Sequence, residues 1–366
     1  MAREAHVFGR YLLGEELAQG GVAQLWRARL ASDGKSELVV KTLQPKLVGQ
    51  PLFAARFAAA ASIARLLSHP GIVRIVDDGV VRGVPYLAME RIDGWDLGTL
   101  HRALAAGSKM PVAIAVGIAV ELCRALTHAH QFRDARGTLK PIVHGDLSPS
   151  HVMVRRDGGV TLVDFGVAHM GRRGARARAH LVMAKRGYFA PELLDGAPVD
   201  PRADVFAVGV LMHELLVGRH LFVASSERET LRRLSEADVP PPSRTNRHVP
   251  PALDVAVLRA LVRDPARRFA SAAELGEALA RVDSAPRDEI AAFVASACAR
   301  DGARRVAALP VQPLWREPTV VGVRPQRRVA DVLAARKTLR RQARARRGVR
   351  VALVAAIVVA AALLVP

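Results

Sequence analysis

Residues 144–154 read HGDLSPSHVMV, and ten residues further on residues 164–166 read DFG. The first run places one carboxylate, Asp146, in a loop just ahead of a short strand pattern at 151–154. The second places Asp164 directly after another strand pattern at 160–163, with the turn Asp157-Gly158-Gly159 between the two strands. Either tripeptide alone arises by chance; their order, and the eighteen residues from Asp146 to Asp164, do not. A third run, ELVVKTL at 37–43, is apolar and β-branched as a buried strand is, and it carries Lys41. Taken alone, such a lysine reads as a snorkelling edge residue.

Working outward, residues 8–90 read as short strands around one Ala-rich helix at 51–67, which His69-Pro70-Gly71 stops. Further strands are expected at 72–76 and 85–89, and Asp93-Gly94 reads as a turn or linker. From Met110 the pattern turns helical, with helices expected at 111–130, 205–216, 251–262 and 271–282, and an extra one at 288–304. Residues 309–325 are Pro-rich and irregular, and no internal repeat is visible. The pattern is that of an α+β chain: a small strand-rich lobe, then a larger helical one.

Size and composition agree. The 366 residues suffice for two packed lobes, and a composition 50% hydrophobic but only 4% aromatic means that Ala, Val and Leu fill the core. Cys123 and Cys298 are far apart and match no metal or CxxC spacing, so they read as buried, reduced thiols. The first sixteen residues hold no apolar run long enough for a signal peptide, which leads us to expect the bulk of the protein in the cytoplasm.

These ordered motifs resemble the eukaryotic-type Ser/Thr protein kinases of bacteria over residues 8–283. Supporting runs are YLAME at 86–90, APE at 190–192, DVFAVGVLMHELLVGRHLF at 204–222, and DPARRF at 264–269, whose Arg268 would pair with Glu192. The resemblance implies a bilobal protein-kinase fold at 1–283, with an N-lobe at about 8–90, a hinge at 90–94 and a C-lobe at 95–283. It implies phosphoryl transfer from ATP to protein Ser/Thr hydroxyls, a chemistry of positioning and charge neutralisation. Lys41 would hold the α- and β-phosphates, Asp164 would bind Mg²⁺, and Asp146 would orient the acceptor hydroxyl and take its proton. The adenine would lie between Val39 and Met153, beside the gatekeeper Met89 and the backbone of Glu90 to Ile92, with Asp96 where the family often contacts the ribose.

The sequence departs from the family at several of these positions. The Gly-rich loop reads Ala18-Gln19-Gly20-Gly21-Val22-Ala23-Gln24-Leu25, in which Gly20 alone keeps a family glycine and Gly21 adds some freedom. The family's helix glutamate is Ala60, and no Asp or Glu occurs from Thr42 to Val76, so Lys41 must pair with Asp164 or depend on the phosphates. The second metal ligand is His151 in place of Asn, a poor donor for Mg²⁺, which leaves Mn²⁺ as an alternative. The catalytic-loop lysine is Ser148, and the family's Thr near APE is Lys185, so hydroxyl and ammonium have exchanged places. One reading is that Lys185 restores the charge; the other is that it is one more residue of a basic loop. The segment 167–189 has six Lys/Arg, no acid, and no Ser or Thr, while the cation that would receive a loop phosphate is Gly145; regulation by loop Ser/Thr phosphorylation is therefore not expected.

The net charge of +20 concentrates late, with sixteen Lys/Arg against five Asp/Glu between residues 284 and 350. A helical extension at 284–308 and a basic linker at 309–348 lead to Val351 to Val365, fifteen uncharged, almost wholly apolar residues. With 348–350 added, and Arg350 snorkelling, this is close to the lower limit of roughly 17 residues needed to cross a bilayer. Eight Lys/Arg at 336–350 mark the cytoplasmic side and attract anionic lipid. We therefore expect a C-terminal transmembrane helix at 349–366, a kinase domain on the cytoplasmic face, and no outer sensor domain. An interfacial helix and a buried partner helix are the alternatives. No nucleic-acid motif accompanies the charge. Two functions from different classes remain: an enzyme with relaxed motifs, or a pseudokinase that signals by binding.

Overall fold

Six antiparallel strands build the first sheet: β1 His6–Phe8, β2 Tyr11–Gln19, β3 Ala23–Leu30, β4 Glu37–Leu43, β5 Ile75–Val81 and β6 Val84–Glu90, in the order β1-β2-β3-β4-β6-β5. The computed structural model describes residues 6–104, 109–165, 187–194, 197–236 and 238–301. The chain divides into two units, Met1–Trp315 and Arg316–Pro366; the second, with the span expected at 349–366, lies outside the described residues, as does Lys185.

The apolar run that forms β4 is covered on both faces. Leu38 and Val40 pack with Tyr11, Leu13 and Tyr86 on one side, while Val39 and Leu43 join Leu25, Phe57 and Met89 on the other. Because side chains alternate along a strand, Lys41 shares the face of Val39 and Leu43. Its register partners are Leu25 on β3 and Leu87 on β6. Helices α1 Pro45–Val48 and α2 Pro51–Ala64 follow, and α2 turns Phe57, Ala61 and Ala64 inward. It ends at Ala64, three residues short of the expected end at 67.

A second sheet of β7 Gly94–Asp96, β8 Val152–Arg155 and β9 Val160–Leu162 lies at the start of the helical lobe. Asp93-Gly94, read as a turn, in fact leads into β7. A Cβ on Gly94 would stand 2.2 Å from the carbonyl oxygen of Val154, so the glycine there permits close strand pairing. The helices are α3 Leu97–Ala103, α4 Val112–His130, α5 Arg202–Val217, α6 Glu227–Glu236, α7 Pro251–Ala260, α8 Ala272–Ala280 and α9 Arg287–Asp301. Every residue of α5 from Ala203 to Val217 is buried, which makes it the central post of the lobe. Among the described residues only α4 is long and apolar enough to cross a membrane, and it is largely buried in this core.

One ion pair fixes the far end of the lobe. Arg268 donates from Nη1 and Nη2 to the two carboxylate oxygens of Glu192, at 2.8 and 2.7 Å, as the APE and DPARRF runs imply. The guanidinium also donates to the carbonyls of Val262, Arg263 and Arg202. A buried Arg so fully satisfied holds its neighbours in register.

Candidate active site

The loop carrying Asp146 is held from below by one carboxylate. Asp204, in the first turn of α5, accepts from the backbone N–H of His144 and of Gly145, both at 2.8 Å, and from His130 Nε2 at 2.9 Å. Burial alone would raise the Asp204 carboxyl, but the hydrogen bond and charge of His130 outweigh it and hold it below its ordinary value. Gly145 takes φ +62°, the left-handed region that glycine enters without a Cβ penalty. Glycine where the family has Arg therefore removes a charge and relaxes the backbone together.

His144 ties this loop to the strand before Asp164. Its Nε2 donates to the carbonyl of Val163 at 2.9 Å, and its Nδ1 accepts from the Asp146 N–H at 3.3 Å. Burial pushes its pKa down, consistent with a neutral ring that donates at one nitrogen and accepts at the other. Phe165 lies edge-on to the His144 ring, centroids 4.7 Å apart, and is buried in the helical-lobe core. With Phe165 anchored inward, Asp164 takes φ +67°, a strained backbone for a non-glycine residue.

Asp164 faces two groups. Lys41 Nζ stands 2.8 Å from its Oδ1, and His151 Nε2 stands 3.8 Å from its Oδ2. Burial alone would raise the carboxyl, but the charge of Lys41, supported by His151, lowers it to about 2. Lys41 thus takes the first of the two options its missing glutamate left open. Ala60, at the glutamate's position, lines the cavity nearby.

This cavity, about 500 Å³, brings together Gly20, Gly21, Lys41, Ala60, Met89, Asp96, Asp146, Ser148, His151 and Asp164. Ser148 Oγ is 3.0 Å from Ser150 Oγ and 3.4 Å from His151 Nδ1. Most of the residues expected around an adenine lie together. Leu25, Val39, Met89, Ile92 and Met153 belong to one contiguous buried cluster, with Ala18 packed against it. Val39 and Met153 are 2% and 1% exposed. The side chain of Glu90 turns to Arg74, accepting from its backbone N–H at 2.9 Å. Asp96 is fully buried and caps α3, accepting from the N–H and hydroxyl of Thr99. The run Asp96-Leu-Gly-Thr99 signals this N-cap, and Asp96 also lines the cavity.

One contributor had no signal in the sequence. Gln44, just past β4, is buried; its side-chain amide donates to the carbonyl of Gly20, and its backbone N–H to that of Val22 at 2.9 Å. Gly20 N–H in turn donates to Ala23 at 2.8 Å. The loop's shape is set by this strap more than by its glycines.

The donor set for a divalent ion is one carboxylate and one imidazole. That matches the all-oxygen preference of Mg²⁺ poorly; it suits a borderline ion better.

A strand-rich lobe carrying a lysine, set over a loop aspartate and a DFG aspartate in a helical lobe, defines the bilobal protein-kinase class. Comparison with known proteins agrees. The protein kinase domain family model matches residues 11–311. The tyrosine-protein kinase MasK of Myxococcus xanthus is 33% identical over 277 residues, which cover 74% of this chain and 43% of MasK. The serine/threonine-protein kinase PknB of Mycolicibacterium smegmatis is 32% identical over 288 residues, 77% of this chain and 44% of PknB. The PknI kinase domain of Mycobacterium tuberculosis superposes with a TM-score of 0.57 at 27% identity, covering 76% of this chain and 98% of that domain. This chain belongs to the protein kinase family and resembles its bacterial serine/threonine members; its matched region spans less than half the length of these curated relatives.

Proposed function

We propose that this chain binds ATP and transfers its γ-phosphoryl group slowly to protein Ser/Thr hydroxyls, while its C-terminal segment holds it at the cytoplasmic face of a membrane. The observation that carries the reading is the convergence of Lys41, Asp146 and Asp164 on one cavity beside the Gly20-Gly21 turn. ATP with its divalent ion supplies the transferable phosphoryl group when bound. Lys41 would hold the phosphate chain, and Asp164 would hold the ion through the oxygen that is not bonded to Lys41. Asp146, fixed through the Asp204 and His144 bonds, orients the acceptor hydroxyl and takes its proton. Ser148 offers a hydroxyl where the family offers an ammonium, so charge stabilisation from that side depends on Lys185. Low rate follows from that loss and from the missing helix glutamate.

A second reading, a pseudokinase that signals by conformation, is favoured by Ala60 at the position of the helix glutamate and His151 in place of Asn. The two separate in one experiment. The full chain, its Asp146→Asn and its Lys185→Ala variants are incubated with labelled ATP and Mg²⁺ or Mn²⁺. Label on the parent and at least about a hundredfold less on Asp146→Asn is expected of an enzyme whose base carries the step. Nucleotide-induced stabilisation with no label in any of the three establishes the pseudokinase. An unchanged rate in Lys185→Ala removes that residue from the mechanism.

The membrane part rests on the apolar run at 351–365 and the eight Lys/Arg before it. The full chain should sediment with anionic vesicles and resist extraction by about 1 M salt, whereas a chain ending at Asp301 stays in the supernatant. Salt extraction of the full chain would reduce the tail to an electrostatic contact.

A further inference from the structure

The cavity that holds Lys41, Asp146 and Asp164 has a second group of polar side chains on its wall. They are His101 and Arg102 on α3, Glu214 on α5, and His220, three residues after α5. None of them has a part in the roles assigned above. Ser148 and Ser150 of the catalytic loop share this wall. A Cβ on Gly98 would lie 3.5 Å from Arg102 Nη1 and 3.6 Å from the Pro149 side chain, which sets the guanidinium against the loop that carries Asp146.

The carboxylate of this group is already engaged. Glu214 is 4% exposed at the side chain. Its Oε1 accepts from His220 Nδ1 at 3.0 Å and from the Leu221 N–H at 3.1 Å, and its Oε2 accepts from the Tyr188 hydroxyl. A buried carboxylate with three donors has little left to offer a lysine or arginine of a bound peptide. The neighbouring carboxylate, Asp96, is fully buried and caps α3. The basic members of the group are more open. Holding His220 by Nδ1 turns the opposite edge of the ring, with Nε2, away from Glu214. His101 stacks on that ring, centroids 6.0 Å apart and planes at 23°. Arg102 is exposed, and among the described residues its side-chain partner is the Thr99 hydroxyl at 2.8 Å.

What such a wall recognises follows from its charge. A guanidinium offers paired donors to an anion. A carboxylate brought beside the stacked imidazoles favours their protonated form, in which both ring nitrogens donate. A lysine or arginine side chain would instead meet a guanidinium and two imidazoles.

We propose that His101, Arg102 and His220 form an anion-selecting subsite on the acceptor side of the cavity, so that the protein segments phosphorylated carry an Asp or Glu close to the acceptor hydroxyl. The proposal rests on the reading that Asp146 receives a protein Ser/Thr hydroxyl, and it deepens that reading by naming the sequence class of the substrate.

The test uses the full chain in a neutral detergent and three short fluorescent peptides. Each has a central Ser flanked on both sides by Glu, Gln or Lys in an otherwise Gly/Ala sequence. Anisotropy reads peptide affinity with a non-hydrolysable ATP analogue present, and labelled ATP with Mg²⁺ or Mn²⁺ reads transfer. The Glu peptide should bind at least about tenfold more tightly than the Gln peptide, and the Lys peptide more weakly than either. The Glu-to-Gln ratio should fall below about threefold in Arg102→Gln and in His220→Gln. Arg102→Glu should reverse the order in favour of the Lys peptide, a gain that a misfolded chain does not show. A Glu preference in binding with no label on any peptide leaves the subsite standing and overturns the transfer reading. Label on all three peptides alike, with equal affinities, overturns the subsite and leaves the transfer reading standing. A Glu preference that survives both Arg102→Gln and His220→Gln, or no peptide binding in the parent, overturns the proposal.

Discussion

Lys41 and Asp164 are 14% and 9% exposed at the side chain, close enough to burial that each depends on the other for its charge. Removing the lysine leaves a carboxylate in a site that disfavours charge. Lys41→Met should therefore cost about 3 kcal/mol at neutral pH, the low end for a broken buried pair. The sign of the pH dependence follows from the direction of the shift. The Asp164 carboxyl is held at about 2 against an ordinary 3.8, so the folded value is the lower one. The stabilisation is then complete above roughly pH 4 and is lost as pH falls through about 2. Urea unfolding of the parent and of Lys41→Met should differ most above about pH 5 and converge as the pH approaches 2. A difference independent of pH would show that the contact contributes packing and no charge. The same pair explains how Asp164 keeps a left-handed backbone, which costs about 1–2 kcal/mol in a residue with a Cβ: the lysine holds its side chain while His144 holds the neighbouring phenylalanine ring.

At the scale of elements, what the sequence made legible was what local pattern controls. ELVVKTL became β4 with the expected bounds, because a strand covered on both faces is written as a continuous apolar run. Helix α5 was legible for the same reason, and Arg268 with Glu192 because two motifs named both partners. Hidden were the features set by tertiary approach. Gly94 looks like a turn residue until Val154 is seen lying against it. Gln44 carries no periodic or motif signal, because its value lies in reaching a carbonyl twenty-four residues back in the chain. Its bond to Gly20 and its backbone bond to Val22 act on the two sides of the Gly20-Gly21 turn. Gln44→Ala removes the first and keeps the second. One neutral hydrogen bond is worth about 1 kcal/mol, so phosphate-chain affinity should weaken about fivefold while the melting temperature falls by only a few degrees. A large fall in melting temperature with unchanged affinity would assign Gln44 to the core of the sheet instead of to the loop.

Across the whole molecule, the helical lobe does not stop where its motifs do. Helix α9 buries Ile290, Val294, Ala297 and Cys298, and it packs on α3 and α4. The chain reaches it by close passage. Ala285 N–H donates to the carbonyl of Ala113 at 2.9 Å, and Arg287 pairs with Glu121 at 2.6 Å. A Cβ on Gly158 would stand 1.7 Å from the carbonyl oxygen of Arg287, and Gly158 takes φ +78°. Ile290 and Val294 contribute about 1.5–3 kcal/mol each at most, so a chain ending at Asp283 should lose several kcal/mol that a chain ending at Asp301 keeps. Gly158→Ala turns this into a test of contact as well as of burial. In the chain ending at Asp301 the substitution meets two penalties, the left-handed backbone and the collision with the Arg287 carbonyl. In the chain ending at Asp283 the carbonyl is gone, and only the backbone cost of about 1–2 kcal/mol remains. The truncation and the substitution must therefore be non-additive, with Gly158→Ala at least about 1 kcal/mol more damaging when α9 is present. Equal cost in both chains would mean that α9 is docked elsewhere in solution, and the β8–β9 turn would lose its role as the seat on which the extension rests.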